Sequence, residues 1–192
     1  EEPADPDDPD GPTRLDLAKE AAITALDEFN ADDEVGLRIF TSNLGPAEDQ
    51  SYIDLLPVGP MSTNRERLAN LIRDQFPLYG TPLYEVAGSS FQAMSDSYDA
   101  SRINAVVLLT DGMNDDGDPT DDTNQFNELL ATLQRSTRGE NSKPIRIFTI
   151  AYGKEADKDT LKQIAEASNA AAYDASDPTT INKVFTAVVS NF

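Results

Sequence analysis

A run of eight residues near the middle of the chain, Ala-Val-Val-Leu-Leu-Thr-Asp-Gly at 105–112, most strongly constrains the fold. A strand that is covered by helices on both faces loses the polar and apolar alternation of a half-solvated strand. The run therefore predicts a buried parallel strand in an α/β protein. Ligands of such sheets bind just beyond the carboxyl ends of the strands. Asp111 is predicted to lie at that place, where Gly112 permits a tight turn. The alternative is that Asp111 only caps a turn or the next helix.

The composition limits the chemistry that this chain of 192 residues performs. Asp and Glu number 35 against 15 Lys and Arg, and the net charge of −20 repels nucleic acid and anionic membranes. The absence of Cys and His removes disulfides, thiolate nucleophiles and imidazole bases. Any metal must then be bound by oxygen atoms. No apolar run reaches the roughly 18 residues of a membrane span, so no membrane insertion is expected within this chain.

The chain divides into an acidic start and one predicted domain. Residues 1–12 combine four prolines with six acidic residues, which favours a loop or tail, and residues 13–192 form the domain. Thr13 and Asp16 are spaced like a helix-capping pair. Periodicity predicts helices over 13–30, 64–76, 82–94, 124–136, 159–167 and 179–191, and strands over 34–41, 52–58, 103–109, 144–151 and 171–173. Strands and helices that alternate in this way indicate parallel β-α-β units.

A second candidate ligand lies between two predicted helices. The segment Tyr79-Gly80-Thr81-Pro82-Leu83 places a hydroxyl on a turn beside a glycine. Thr81 is therefore a candidate metal ligand. Its alternative role is to cap the helix that follows, since Thr before Pro is a common helix start.

Three segments, taken in order, resemble the von Willebrand factor A domain family. They are Gly-Thr-Pro-Leu at 80–83, Val-Val-Leu-Leu-Thr-Asp-Gly at 106–112 and Ile-Arg-Ile-Phe-Thr-Ile-Ala-Tyr-Gly at 145–153. The resemblance implies a Rossmann-like, three-layer α/β/α domain with a mostly parallel central sheet. It also implies a metal-ion-dependent adhesion site on the carboxyl edge of that sheet, usually occupied by Mg²⁺, with Mn²⁺ as the substitute.

The resemblance assigns roles to particular residues of this chain. Thr81 and Asp111 match two of the three elements that hold the metal in the family. The surrounding rim, which would contact a partner, consists of Gly80, Pro82, Gly112, Asn114 and Asp115. Mg²⁺ takes oxygen ligands and retains waters, so a carboxylate from a partner protein fills an open coordination position.

The chain departs from the family at its start. The family's first strand ends in Asp-x-Ser-x-Ser, and neither that strand nor that motif precedes Thr13. We expect both to lie upstream or to be supplied by another segment. A groove is then predicted between the strands at 35–40 and 103–109, and direct pairing of these strands would exclude it. With Thr81 and Asp111 alone, magnesium binding is expected to be weak or absent.

The acidic loop at 114–122 allows a second interpretation. It resembles a calcium-binding loop in composition, but its spacing does not fit Asp-x-Asp-x-Asp-Gly. A solvated loop on the rim of the metal site is therefore the preferred interpretation.

The leading functional hypothesis is a noncatalytic, metal-dependent protein-binding module of a larger surface or secreted protein. Its partner would offer a carboxylate or a basic surface. An alternative with the same fold is a cytoplasmic subunit that docks on a ring ATPase, as in chelatases. A Mg²⁺-dependent hydrolase is the third possibility. The chain has no glycine-rich phosphate loop after any strand and no Lys beside Asp111, and both absences argue against it.

Overall fold

The structure, a computed structural model, describes residues 3–4, 8, 10–46, 49–138 and 142–191. Within them, contacts define two units. The first unit comprises Glu1–Tyr79 and Asp177–Phe192, and the second unit comprises Gly80–Ser176. Much of the predicted acidic segment 1–12 lies outside the described residues. In its described part, the Ala4 N–H donates to the Pro12 carbonyl at 3.0 Å.

The first unit consists of three helices and an antiparallel hairpin. The helices are α1 (Arg14–Ala25), α2 (Met61–Arg73) and α6 (Ile181–Val189), and the strands are β1 (Glu34–Leu44) and β2 (Gln50–Pro60). Short 3-10 helices, Leu26–Glu28 and Pro178–Thr180, extend α1 and precede α6. The apolar core of this unit combines Leu26, Leu56, Met61, Leu68 and Ile72.

The start of α1 confirms the predicted capping pair. The Thr13 hydroxyl accepts the Asp16 N–H at 3.1 Å, and the Asp16 carboxylate accepts the Thr13 N–H at 3.0 Å. These reciprocal bonds satisfy donors that the first helical turn leaves open.

The prediction for the end of α2 was wrong. The helix was expected to reach Phe76 with that side chain inward, but it ends at Arg73 and Phe76 is 68% exposed. Pro77 explains the difference, because a residue before proline is disfavoured in helical conformation. At its start, α2 begins at Met61, which is buried, three positions earlier than expected.

The second unit is a three-stranded parallel sheet with three helices. The strands are β3 (Asn104–Thr110), β4 (Ile145–Tyr152) and β5 (Ala172–Ala175), in the order β3-β4-β5. The helices are α3 (Leu83–Asp96), α4 (Asp122–Ser136) and α5 (Lys158–Ala167). Ile145, Ile147 and Ile150 of β4 are completely buried, whereas Val107 in the apolar run of β3 is 37% exposed, so β3 is less buried than the run predicts.

In the part of the chain that the structure describes, the strand that precedes Asp111 is paired along one edge only. Among the described residues, β3 pairs only with β4, and β1 pairs only with β2. The sequence of β3 holds no charged residue or proline of the kind that protects natural sheet edges. The direct pairing of β1 with β3 that would exclude a missing strand is therefore not found in the described part of the chain, and the groove between them stays a prediction.

Candidate metal centre

The Asp111 side chain has no hydrogen-bonding partner among the described residues. It follows β3 immediately and is exposed, and it makes no hydrogen bond or ion pair with the described residues. The helix α4 begins after Asp121 instead, and the Gly112 N–H binds the Thr110 hydroxyl at 3.2 Å. The capping role considered for Asp111 is thus not what the structure shows. Its carboxylate remains available to a ligand.

The Thr81 hydroxyl is equally free. Gly80 before it has φ of 88°, a conformation that favours glycine. Pro82 occupies the N-cap position of α3 and supplies no side-chain cap. The Thr81 carbonyl accepts the Leu83 N–H at 2.6 Å, while the hydroxyl makes no hydrogen bond with the described residues. The predicted alternative, a helix-capping threonine, is therefore not observed.

Backbone pairing brings the two candidate ligands to the same end of the sheet. The Thr81 N–H donates to the Asp115 carbonyl and the Asp115 N–H donates to the Thr81 carbonyl, both at 2.8 Å. Gly112 lies so close that a Cβ added to it would be 3.0 Å from the Thr81 hydroxyl oxygen. The Thr81 hydroxyl is therefore held beside the residue that directly follows Asp111.

The predicted rim residues differ in accessibility. Asp115 is exposed, whereas Pro82 is buried and cannot offer its ring to a partner. Asn114 is half-buried and uses its side chain inside the protein: its Oδ1 accepts the Tyr84 N–H at 3.2 Å and its Nδ2 donates to Asp122 at 2.7 Å. Sequence reasoning missed Met113, which is 64% exposed. Its position two residues after Asp111 was the available signal.

Carboxylates of the acidic loop at 114–122 accept hydrogen bonds from other residues of the same loop. The Asp118 N–H donates to Asp116 at 2.9 Å, and the Asp118 carboxylate accepts the Thr120 hydroxyl at 2.6 Å. The Thr120 hydroxyl and N–H lower the pKa of Asp118 below its usual value. Gly117, with φ of 90°, makes the turn between them. No group of three or more acidic side chains in the described residues is arranged to hold a metal ion.

Thr81 and Asp111 suit an ion that prefers oxygen ligands. One hydroxyl and one carboxylate, both unengaged, match the donors that Mg²⁺ and Mn²⁺ accept. They supply only part of a coordination shell, and the sequence contains no Asp-x-Ser-x-Ser to complete it.

None of the described helices is long and apolar enough to cross a membrane.

The aromatic contacts beside the site join two helices. The Tyr84 and Phe126 rings of α3 and α4 lie 5.1 Å apart between centroids. Burial raises the pKa of the Tyr84 hydroxyl, although its hydrogen bond with Thr160 acts in the opposite direction. The tyrosine is thus neutral at physiological pH and serves to pack the two helices.

Comparison with known proteins identifies the fold. The sequence matches the von Willebrand factor type A domain over residues 11–187. No curated protein matches it. Among solved structures, a von Willebrand factor type A protein from Catenulispora acidiphila superposes with a TM-score of 0.68 at 16% identity. That match covers 92% of this chain and 37% of the other.

Two further structures are similar over almost the whole of this chain. An aerotolerance-related membrane protein from Bacteroides fragilis gives a TM-score of 0.64 at 15% identity, covering 94% of this chain and 90% of the other. Proximal thread matrix protein 1 from the mussel byssus, with a zinc-occupied metal-ion-dependent adhesion site, gives 0.63 at 17% identity, covering 95% and 43%. The chain thus spans less than half of the Catenulispora and mussel proteins.

Proposed function

Because the chain belongs to the von Willebrand factor type A domain family, we propose that it is a noncatalytic protein-binding module whose partner contact runs through a divalent metal ion. The observation that carries the proposal is the release of both family-matched side chains from structural roles. The Asp111 carboxylate and the Thr81 hydroxyl make no hydrogen bond with the described residues, although backbone hydrogen bonds hold their loops together. A carboxylate and a hydroxyl without other partners at a sheet edge are two of the oxygen donors that a Mg²⁺ site uses.

Mg²⁺ is the proposed ion, held by the Thr81 hydroxyl and the Asp111 carboxylate. When bound, it would offer an open position to a carboxylate of the partner protein. The zinc in the adhesion site of the mussel protein supports metal binding in this fold, without specifying the ion here. Because this chain lacks Asp-x-Ser-x-Ser, we propose that a strand bearing that motif completes the site along the open edge of β3.

A noncatalytic role fits the chemistry of the chain. It has no His or Cys, and Gly112 to Asp115 supply no cationic group beside Asp111. We propose a surface-exposed or secreted location, for which the membrane protein from Bacteroides fragilis and the matrix protein of the mussel byssus are the supporting neighbours. The acidic surface, with its net charge of −20, would select a partner that is basic around its carboxylate.

Calorimetry with Mg²⁺ tests the proposal. The chain would be titrated alone and in the presence of a synthetic strand peptide that carries Asp-x-Ser-x-Ser. We expect weak or no heat from the chain alone and saturable binding with the peptide, lost in Asp111→Ala. Asp115→Ala is the matched control, because the two Asp115 hydrogen bonds that hold the Thr81 loop are made by backbone atoms, which the substitution keeps. Absence of binding under both conditions, or binding that survives Asp111→Ala, would contradict the proposal.

A further inference from the structure

Asn114 uses both ends of its side-chain amide, and each end binds a different helix. Oδ1 accepts the Tyr84 N–H at 3.2 Å, and Nδ2 donates to the Asp122 carboxylate at 2.7 Å. The two partners fix this orientation of the amide. In the opposite orientation, the amide NH₂ group would face the Tyr84 N–H, and the amide oxygen would face the Asp122 carboxylate. Asn114 therefore lies in a position that specifies both a donor and an acceptor.

The two bonds meet the beginnings of α3 and α4. The first N–H groups of a helix lack partners within the helix, and α3 has no cap from its own N-terminal side chains. Asn114 supplies an acceptor to this turn from a distant part of the sequence. Asp122 is the first residue of α4, so the same amide ties that helix to the loop after β3.

The next residue along the chain holds the Thr81 loop. Asp115 exchanges two backbone hydrogen bonds of 2.8 Å with Thr81, and Gly112 packs against the Thr81 hydroxyl. Residues 114 and 115 therefore act together: one fixes the start of α3, and the other fixes the turn that leads into it.

We propose that Asn114 is a positioning residue for the metal site, with Asp122 as its partner, and that it does not contact the ion or the bound protein. This inference rests on the proposed function, because it assumes that Thr81 and Asp111 bind the metal. It replaces the expectation that Asn114 is part of the partner-binding rim. Residues that orient metal ligands from behind typically change metal affinity by about 10-fold to 100-fold when mutated.

An exchange of the two partners tests the inference. Asn114→Asp has the shape of the original side chain and keeps an acceptor for Tyr84, but it faces the Asp122 carboxylate with a like charge. The double variant N114D/D122N restores one donor and one acceptor in the reverse direction, with the net charge of the original protein. Asp122→Asn alone is the control for the loss of charge, because an amide at 122 still accepts from Asn114.

The probe is Mn²⁺, added to the whole chain. Bound Mn²⁺ broadens the backbone amide signals near Asp111 because it is paramagnetic, and this broadening detects weak binding far from saturation. We expect Asn114→Asp to weaken the Mn²⁺ response about 10-fold and the double variant to restore it. Amide hydrogen exchange of Thr81 and Asp115, measured without metal, should become about 10-fold faster in Asn114→Asp and return in the double variant.

The outcomes separate this inference from the proposed function. Unchanged amide exchange in Asn114→Asp, or no rescue by the double variant, would overturn the positioning role. If the original protein gives no Mn²⁺ broadening even with the Asp-x-Ser-x-Ser peptide present, while the exchange pattern follows the expectation, the metal assignment fails and the hydrogen-bonded link between the loops stands alone. Agreement of both measurements supports both proposals.

Discussion

Replacing Gly112 with Ala should displace the Thr81 hydroxyl while leaving the fold intact. A Cβ at position 112 would lie 3.0 Å from the Thr81 hydroxyl oxygen, closer than ordinary van der Waals contact. The Thr81 backbone is held by Asp115, so rotation of the Thr81 side chain is the easiest relief, at a cost of about 0.5–1.5 kcal/mol. The stiffer unfolded chain returns about 0.4–1 kcal/mol. The free energy of unfolding should therefore change by less than about 1 kcal/mol.

Two assays separate the effect on the site from the effect on stability. Urea denaturation measures the free energy of unfolding, and Mn²⁺-induced broadening of amide signals reports on the site. Gly88→Ala is the matched control in the same unit, because its Cβ would meet only the Leu129 Cδ1 at 3.8 Å. Since Gly88 lies within α3, this control should raise the free energy of unfolding by about 0.5–1 kcal/mol and leave the Mn²⁺ response unchanged.

The reasoning fails if Gly112→Ala keeps the full Mn²⁺ response, since the position of the Thr81 hydroxyl would then be irrelevant to the metal. A loss of stability of about 3 kcal/mol or more would also refute it, because the contact would then serve packing and not the site.

Three further changes test the structure around the site and the unit that precedes it. Thr13→Ala removes the capping box of α1 and should lower the free energy of unfolding by about 1 kcal/mol in chemical denaturation. Gly36→Ala would place a Cβ 2.8 Å from the Val58 backbone nitrogen, which cannot yield as a side chain does, so we expect a loss of about 1–3 kcal/mol in the same assay. Lys158 donates to Asp174 and lowers the pKa of that carboxyl from 3.8 to about 2. Because the folded-state pKa is the lower one, the stabilisation is present above pH 3.8 and is lost as the pH falls towards 2. Asp174→Asn should therefore weaken the dependence of the melting temperature on pH between these values. The free energy of unfolding that is lost should be less than about 1 kcal/mol, because the pair is half-exposed.

Local signals of the sequence predicted most of the elements. The unbroken apolar run correctly predicted β3 as a parallel strand, although Val107 within it is 37% exposed. Thr13 and Asp16 predicted the start of α1 correctly, because a capping box depends only on residues three apart. The family resemblance is confirmed by the match over residues 11–187. Phe76 was misplaced because the apolar period was followed past the point where Pro77 ends the helix.

The sequence by itself determined which residue types reach the carboxyl end of the sheet: Thr81 after a glycine and Asp111 after an apolar strand. Only the tertiary structure decided what these side chains are free to do. Capping and ligand binding use the same hydroxyl and carboxylate, so the two roles cannot be separated without the neighbouring donors. The structure shows Asn114 accepting the Tyr84 N–H and Asp115 pairing with the Thr81 backbone. Those partners are about thirty positions apart in sequence, and their pairing is fixed by the packing of α3 and the loop after β3, which no local pattern records.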